Sequence, residues 1–155
     1  MAITLQIVSI VFYTFIAFIC IGLPIAVLPG YVHEHLGLSA VVAGLTIGSH
    51  YLATLLSRPM AGRTCDTVGT KRAIVYGLTG IFLSGLLTLF STFLENWPLL
   101  SLGVLIAGRL LLGVAQGLIG VGTISWCMGK VGAEHTARSI SWNGIASYGA
   151  IAIGA

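Results

Sequence analysis

Residues 73–94 read AIVYGLTGIFLSGLLTLFSTFL, a stretch without Asp, Glu, Lys or Arg. A helix needs about 20 mostly apolar residues to cross the roughly 30 Å hydrocarbon core of a bilayer. Backbone groups in lipid must find their hydrogen bonds within their own segment, which a helix achieves. A β-barrel would need short segments of alternating polarity, and no such period-two pattern occurs. The stretch therefore predicts a transmembrane helix.

Apolar runs of similar length lie on both sides of this stretch. Between Glu95 and Lys130 the one charged residue is Arg109, and no Asp, Glu, Lys or Arg lies before Glu34, between Glu34 and Arg58, or after Arg138. Only 7% of the chain is charged, whereas a soluble domain has roughly 25%. We therefore predict an all-α membrane protein with about five transmembrane helices, at 3–31, 39–60, 73–94, 98–127 and 137–155. The last run reaches the final residue without a loop or a basic anchor, which predicts a fragment that stops inside its fifth span.

The Lys and Arg residues predict which side each connection faces. Six of the seven lie beside the connections that follow the second and fourth spans: Arg58, Arg63, Lys71, Arg72, Lys130 and Arg138. The connections on the opposite side contain no Lys or Arg. Because basic residues remain in the cytoplasm, we predict a multi-pass protein whose N-terminus is cytoplasmic.

Arg109 is the first candidate functional residue. It lies between Trp97 and Trp126, which read as interfacial residues at the two ends of the fourth span. An Arg near the membrane middle costs at least about 2.5–3.5 kcal/mol unless it faces a cavity or a partner, so it marks a functional site by default. The alternative is a structural charge bonded to backbone carbonyls.

His50, Gln116 and Asn143 are further polar candidates within apolar spans. A histidine changes charge near neutral pH, so His50 can share a proton path with Arg109. Asn143 and Gln116 can face a substrate. For each of these side chains, a hydrogen bond between packed helices is the alternative.

The connection between the second and third spans reads Gly62-Arg-Thr-Cys-Asp66-Thr-Val-Gly69-Thr-Lys71-Arg72. Gly62 would let two helices approach closely, Asp66 would accept bonds from backbone N–H groups or an Arg, and Gly69 would allow a tight turn. The alternative is an ordinary basic loop that follows the topology rule.

This connection resembles the signature that major facilitator superfamily transporters carry between their second and third helices. The matching residues are Gly62, Asp66, Gly69, Lys71 and Arg72. Thr67 and Thr70 stand where basic residues are more usual. In that family the loop docks on a helix of the second half and latches the cytoplasmic side, and the resemblance implies the same role here.

Two further stretches extend the resemblance. Arg109 followed by Gly113 and Gly117 resembles the family's fourth-helix pattern, in which the glycines serve packing and the Arg is linked to proton coupling in proton-driven exporters. Residues 22–31, 51–59 and 140–148 are similar to the bacterial YhhS/YfcJ branch, which is classed with sugar- and drug-efflux permeases.

The resemblance implies the first five of about twelve helices of a bacterial inner-membrane efflux permease. The implied partners are the lipid bilayer, a small-molecule substrate, protons and the remaining C-terminal helices. The alternative function is that of a truncated membrane protein without transport activity, which has a structural or interaction role.

Enzyme function, cofactors and metal sites find no support in the sequence. It shows no activated nucleophile and no nucleotide-binding motif. His33 and His35 offer two ligands in a short connection, too few for a metal site. The three cysteines are scattered without CxxC spacing, which argues against a disulfide framework or a zinc site: Cys20, Cys65 and Cys127.

Overall fold

A computed structural model describes residues 2–155. Its five α-helices are α1 (Ala2–Gly30), α2 (Ala40–Val68), α3 (Thr70–Thr92), α4 (Pro98–Val131) and α5 (Thr136–Gly154). A π-helical turn, Tyr31–His35, continues α1, and a short 3₁₀-helix, Ala133–His135, precedes α5. The helices α1 to α4 are long and apolar enough to cross a membrane. The predicted all-α class is confirmed.

The connection between α2 and α3 is shorter than the sequence suggested. Residues 61–72 are helical except at Gly69, where the backbone turns with φ of +91°. Charged residues mark where a chain leaves the bilayer, but nothing in this segment interrupts a helix until a residue with positive φ is required. The same reason explains why α4 continues past 127 to Val131 and ends at Gly132, whose φ is +86°.

Helix α4 lies at the centre of the bundle and contacts all four other α-helices. It packs closely against α2 because Gly113 lacks a side chain. A methyl group at Gly113 would overlap the carbonyl oxygen of His50 and lie 2.7 Å from the Cβ of Ala53. Where α4 packs against α3, the glycine is Gly77 of α3. A Cβ at Gly77 would lie 2.8 Å from the carbonyl oxygen of Ala115 on α4. Small residues at such crossings are typical of membrane helix pairs.

Helix α5 packs along α1. Gly22 and Gly154 meet at this contact, where a Cβ at Gly22 would lie 2.8 Å from the carbonyl oxygen of Ile151. Large apolar side chains on the outer faces of the helices remain exposed, among them Leu5, Leu56 and Leu99. In a soluble protein this surface would be a liability, whereas in lipid it is the expected exterior.

Candidate functional site

Arg109 is buried on the central helix α4. Only 4% of the residue is exposed, and its Nη2 donates a hydrogen bond of 3.2 Å to the hydroxyl of Thr88 on α3. Its Nε is buried and has no hydrogen-bond partner among residues 2–155. One nitrogen of the guanidinium is therefore hydrogen-bonded to α3, while another is buried without a partner.

His50 lies on the neighbouring helix α2 and is 3% exposed. Its ring stands edge-on to Tyr51, with the ring centroids 5.0 Å apart. Within the described part of the chain, neither Nδ1 nor Nε2 makes a hydrogen bond. The carboxamide of Gln116 lies beside the imidazole but outside good hydrogen-bond geometry.

Arg109 and His50 line one small cavity of about 10 Å³ between α1, α2 and α4. The other lining residues are mostly apolar: Ile21, Pro24, Ile25, Ile47 and Tyr51. Two candidates that are 59 positions apart in the sequence thus face the same space. Pro24 lies in the wall of this cavity. Proline has no backbone N–H, so the carbonyl oxygen of Cys20, one turn earlier, lacks its usual helical hydrogen bond.

Arg109 has no acidic counter-ion in the part of the chain that the structure describes. The four carboxylate residues of the chain all lie outside the apolar core of the spans: Glu34, Asp66, Glu95 and Glu134. Across residues 2–155, no ion pair involves Arg109. A buried charge without an ionic partner is costly, so hydrogen bonds from polar groups such as Thr88 are needed to stabilise it.

Gln116 and Asn143 line a second, larger space. This open groove of about 580 Å³ runs between α2, α4 and α5, and its polar lining includes Thr54, Arg58, Gln116, Asn143, Ser147 and Tyr148. Gln116 Oε1 accepts a hydrogen bond of 3.1 Å from Thr54, and Asn143 Oδ1 accepts one of 2.9 Å from Thr14. Each carboxamide accepts a hydrogen bond through its oxygen, and that bond does not use its NH₂ group.

Residues 6–155 match the Major Facilitator Superfamily over nearly the whole chain. The chain belongs to this family.

Curated relatives agree with this assignment. An "Uncharacterized MFS-type transporter" of Pseudomonas aeruginosa (strain LESB58) is 59% identical over 151 residues, which cover 97% of this chain and 38% of the relative. Transporters of the same description from Burkholderia mallei (strain SAVP1) and Burkholderia pseudomallei (strain 668) are 56% identical over 154 residues, or 99% of this chain and 38% of each relative. The chain thus spans 38% of the length of these relatives. No solved structure matches.

The major facilitator signature lies at the end of α2 and the start of α3. Apart from neighbouring residues of its own helix, no atom of the described chain comes within 4 Å of a Cβ placed on Gly62, so the close helix approach expected there is not made within residues 2–155. Asp66 and Arg72 are exposed, and Asp66 has no hydrogen bond or ion pair with any described residue. Gly69 provides the turn through its positive φ.

Lys71 has a contact that the sequence analysis missed. Its Nζ lies 5.2 Å from the centre of the Trp126 ring, within the range of a cation–π interaction. Trp126 also stacks at a tilt against Tyr13 of α1, with the centroids 6.1 Å apart. The sequence could not have revealed this pairing, because Lys71 and Trp126 lie on different helices and each reads as an ordinary interfacial residue.

Threonines were also missed. Thr14, Thr54 and Thr88 each hold a candidate polar side chain across a helix contact. A threonine in an apolar helix usually bonds to its own backbone one turn back, so its identity alone gives no signal of a partner. As for metal binding, the described residues contain no cluster of three or more His, Cys, Asp or Glu.

Proposed function

We propose that this chain is the N-terminal part of a proton-coupled transporter, which exports a small organic molecule of drug or sugar type across the bacterial inner membrane. The observation that carries the proposal is that Arg109 and His50, both more than nine-tenths buried, face one cavity between three helices. Ionisable residues at such depth mark proton relays and substrate pathways in membrane proteins.

Proton coupling follows from the charges of these two groups. Arg109 remains positive, whereas His50 can be neutral or positive. A proton on His50 places a second positive charge beside Arg109 with no carboxylate near, and the repulsion raises the free energy of this packing. Release of that repulsion in another arrangement of the helices would couple proton movement to a conformational change.

The groove is the proposed substrate half-site. In transporters built of two halves, the substrate lies near the bilayer midplane between the halves, which rock about it. Asn143 and Gln116 would donate hydrogen bonds from their NH₂ groups to a ligand in the groove. The remaining C-terminal helices of the complete protein would supply the facing wall.

The signature residues are the proposed cytoplasmic latch. Asp66 is exposed and unpaired within the described chain, so it is available to a helix of the other half. Lys71 and Arg72 would contribute the positive charge of the latch, and Gly69 would set its turn. The N-terminus is proposed to lie in the cytoplasm, in accord with the basic residues around this turn.

One alternative is favoured by a specific observation. The groove is open, and the chain covers 38% of the length of its relatives. If the cell makes no more than these residues, one wall of the substrate site is missing. The chain would then be a membrane protein without transport activity, with a structural or interaction role.

The experiment is a transport assay on the complete protein, meaning either the full gene product or this chain joined to the C-terminal part of the Pseudomonas relative. Everted vesicles would be tested with ethidium as a drug probe and a radiolabelled monosaccharide as a sugar probe, with a fluorescent dye for proton movement. Arg109→Ala should abolish proton-linked transport, while Thr92→Val, an exposed threonine on α3, should not. Unchanged transport in Arg109→Ala would remove its proposed role.

A further inference from the structure

The two polar residues that line the small cavity, Arg109 and His50, carry three buried nitrogens without a hydrogen-bond partner in the described chain. They are Nε of Arg109 and both ring nitrogens of His50. The two residues are 4% and 3% exposed, so bulk water does not reach them. Buried polar atoms in proteins are almost always hydrogen-bonded, to protein groups or to ordered water.

The cavity has room for one water molecule and little else. Its volume is about 10 Å³, close to the least space that holds a single water. Four of its lining residues are apolar and offer no side-chain hydrogen bond: Ile21, Pro24, Ile25 and Ile47. Engineered cavities lined only by such residues stay dry, so the polar pair is what makes this one suited to water.

The chemistry of the two residues selects the occupant. Arg109 offers only donors, so the occupant must accept a hydrogen bond. A neutral imidazole has one nitrogen that needs a donor, so the occupant must also donate. A chloride ion accepts but cannot donate, and an apolar occupant does neither.

We propose that one water molecule occupies this cavity and bridges Arg109 to His50. The water accepts from the Nε–H of Arg109 and donates to the unprotonated ring nitrogen of His50. The presence of this water does not depend on whether the protein transports a substrate.

A role for this water in transport rests on the proposed function. It would give His50 a hydrogen-bonded neighbour through which a proton can arrive and leave, although apolar side chains surround the ring. Arg109 on the far side would orient the water, because a guanidinium N–H can only donate to it. Arg109 would then be a positioning residue for the proton on His50.

The direct test is a structure of the complete protein at a resolution that shows ordered water, together with a second crystal soaked in bromide. The expected result is a single density peak within hydrogen-bond distance of Arg109 Nε and a His50 nitrogen, with no anomalous bromide signal there. An empty cavity would overturn the proposal. An anomalous peak would also overturn it, because the site would then hold an anion.

A stability test separates a wet cavity from a dry one. If the water is present, His50→Leu removes its acceptor and leaves Arg109 Nε unmet, so the melting temperature of the complete protein should fall. If the cavity is dry, the same change replaces two unbonded nitrogens with an apolar group, and the melting temperature should hold or rise. The matched control is Thr123→Val, which removes an unpartnered buried hydroxyl on α4 and should not lower the melting temperature.

The two proposals fail differently. If the ordered water is found but the protein shows no proton-linked transport, the water site stands and the proposed function is wrong. Proton-linked transport in a protein whose cavity is empty would reject the water site alone. Should His50→Leu fail to fold, the density in the unsubstituted protein still decides.

Discussion

The hydroxyl of Thr14 on α1 donates a hydrogen bond of 2.9 Å to Oδ1 of Asn143 on α5, across 129 positions of sequence. Thr14 is fully buried, whereas Asn143 borders the open groove. The hydrogen bond therefore connects the core of the bundle to a candidate substrate-binding side chain. Thr54 and Gln116 repeat the arrangement between α2 and α4 at 3.1 Å. In both pairs a threonine hydroxyl donates to a carboxamide oxygen, and the residue that carries the carboxamide lines the groove.

Loss of the Thr14 hydroxyl should loosen Asn143. In Thr14→Val the carboxamide has no partner across the helix contact, so the free energy of unfolding should fall by about 0.6 kcal/mol, the mean for hydrogen bonds between membrane helices. If Asn143 binds substrate, the apparent KM should rise while the maximal rate changes little. Both quantities can be measured on the complete protein, with thermal unfolding in detergent for the first.

The control for this change is Thr79→Val. Thr79 is exposed and bonds only to carbonyl oxygens of its own helix, so its replacement should leave both quantities unchanged. An equal loss in the two variants would mean that the Thr14–Asn143 hydrogen bond has no special role.

Gly113 should tolerate no side chain. Gly113→Ala places a methyl group against the carbonyl oxygen of His50 and the Cβ of Ala53, so α2 and α4 must move apart. Overpacking of this kind costs about 1–3 kcal/mol. Thermal unfolding of the complete protein should show the loss, and transport should fall with it because His50 and Arg109 lie on the two separated helices.

Gly120 provides the matched control on the same helix. Apart from neighbouring residues of its own helix, a methyl group there meets no atom of the described chain within 4 Å. Gly120→Ala should hold or raise stability, because alanine favours a helix over glycine by about 0.5–1 kcal/mol. If Gly113→Ala behaved like Gly120→Ala, the close α2–α4 contact would be wrong.

The contact between Lys71 and Trp126 should contribute modestly to stability. A cation–π pair at an exposed site is worth about 0.5–1 kcal/mol. Lys71→Gln removes the cation and should lower the free energy of unfolding by that amount, whereas Lys71→Arg should retain it. Arg72→Gln serves as the charge control on the next residue. A loss of the same size in Arg72→Gln would assign the effect to net charge rather than to the tryptophan ring.

Membrane orientation can be read from introduced cysteines. Cys65 itself is a poor reporter because it is 6% exposed and packs with Ala61 and Ala73. In a cysteine-free background, Thr67→Cys should react with an impermeant maleimide only after the cytoplasmic side is opened. Glu95→Cys, at the other end of α3, should react in intact cells stripped of the outer membrane. The reverse pattern would place the N-terminus outside.

The sequence was sufficient to find Arg109 and His50 but not to pair them. Each is an ionisable residue in an apolar run, which composition alone reveals. Their shared cavity depends on how α2 is rotated about its axis where it packs on α4, a close contact that Gly113 permits. A single sequence gives the order of residues along one helix but carries no measure of the rotation between two.

The sequence by itself determined that lipid surrounds this chain and that helices cross it, because each long uncharged run can satisfy its backbone only as a helix in the bilayer. It also placed the signature residues beside a turn. Only the tertiary structure decided where each helix ends, which threonine bonds to which carboxamide, and that Arg109 and His50 line one cavity, with no ion pair to Arg109 among residues 2–155. Hydropathy reports transfer of each residue from water, whereas these features arise from packing between segments distant in sequence.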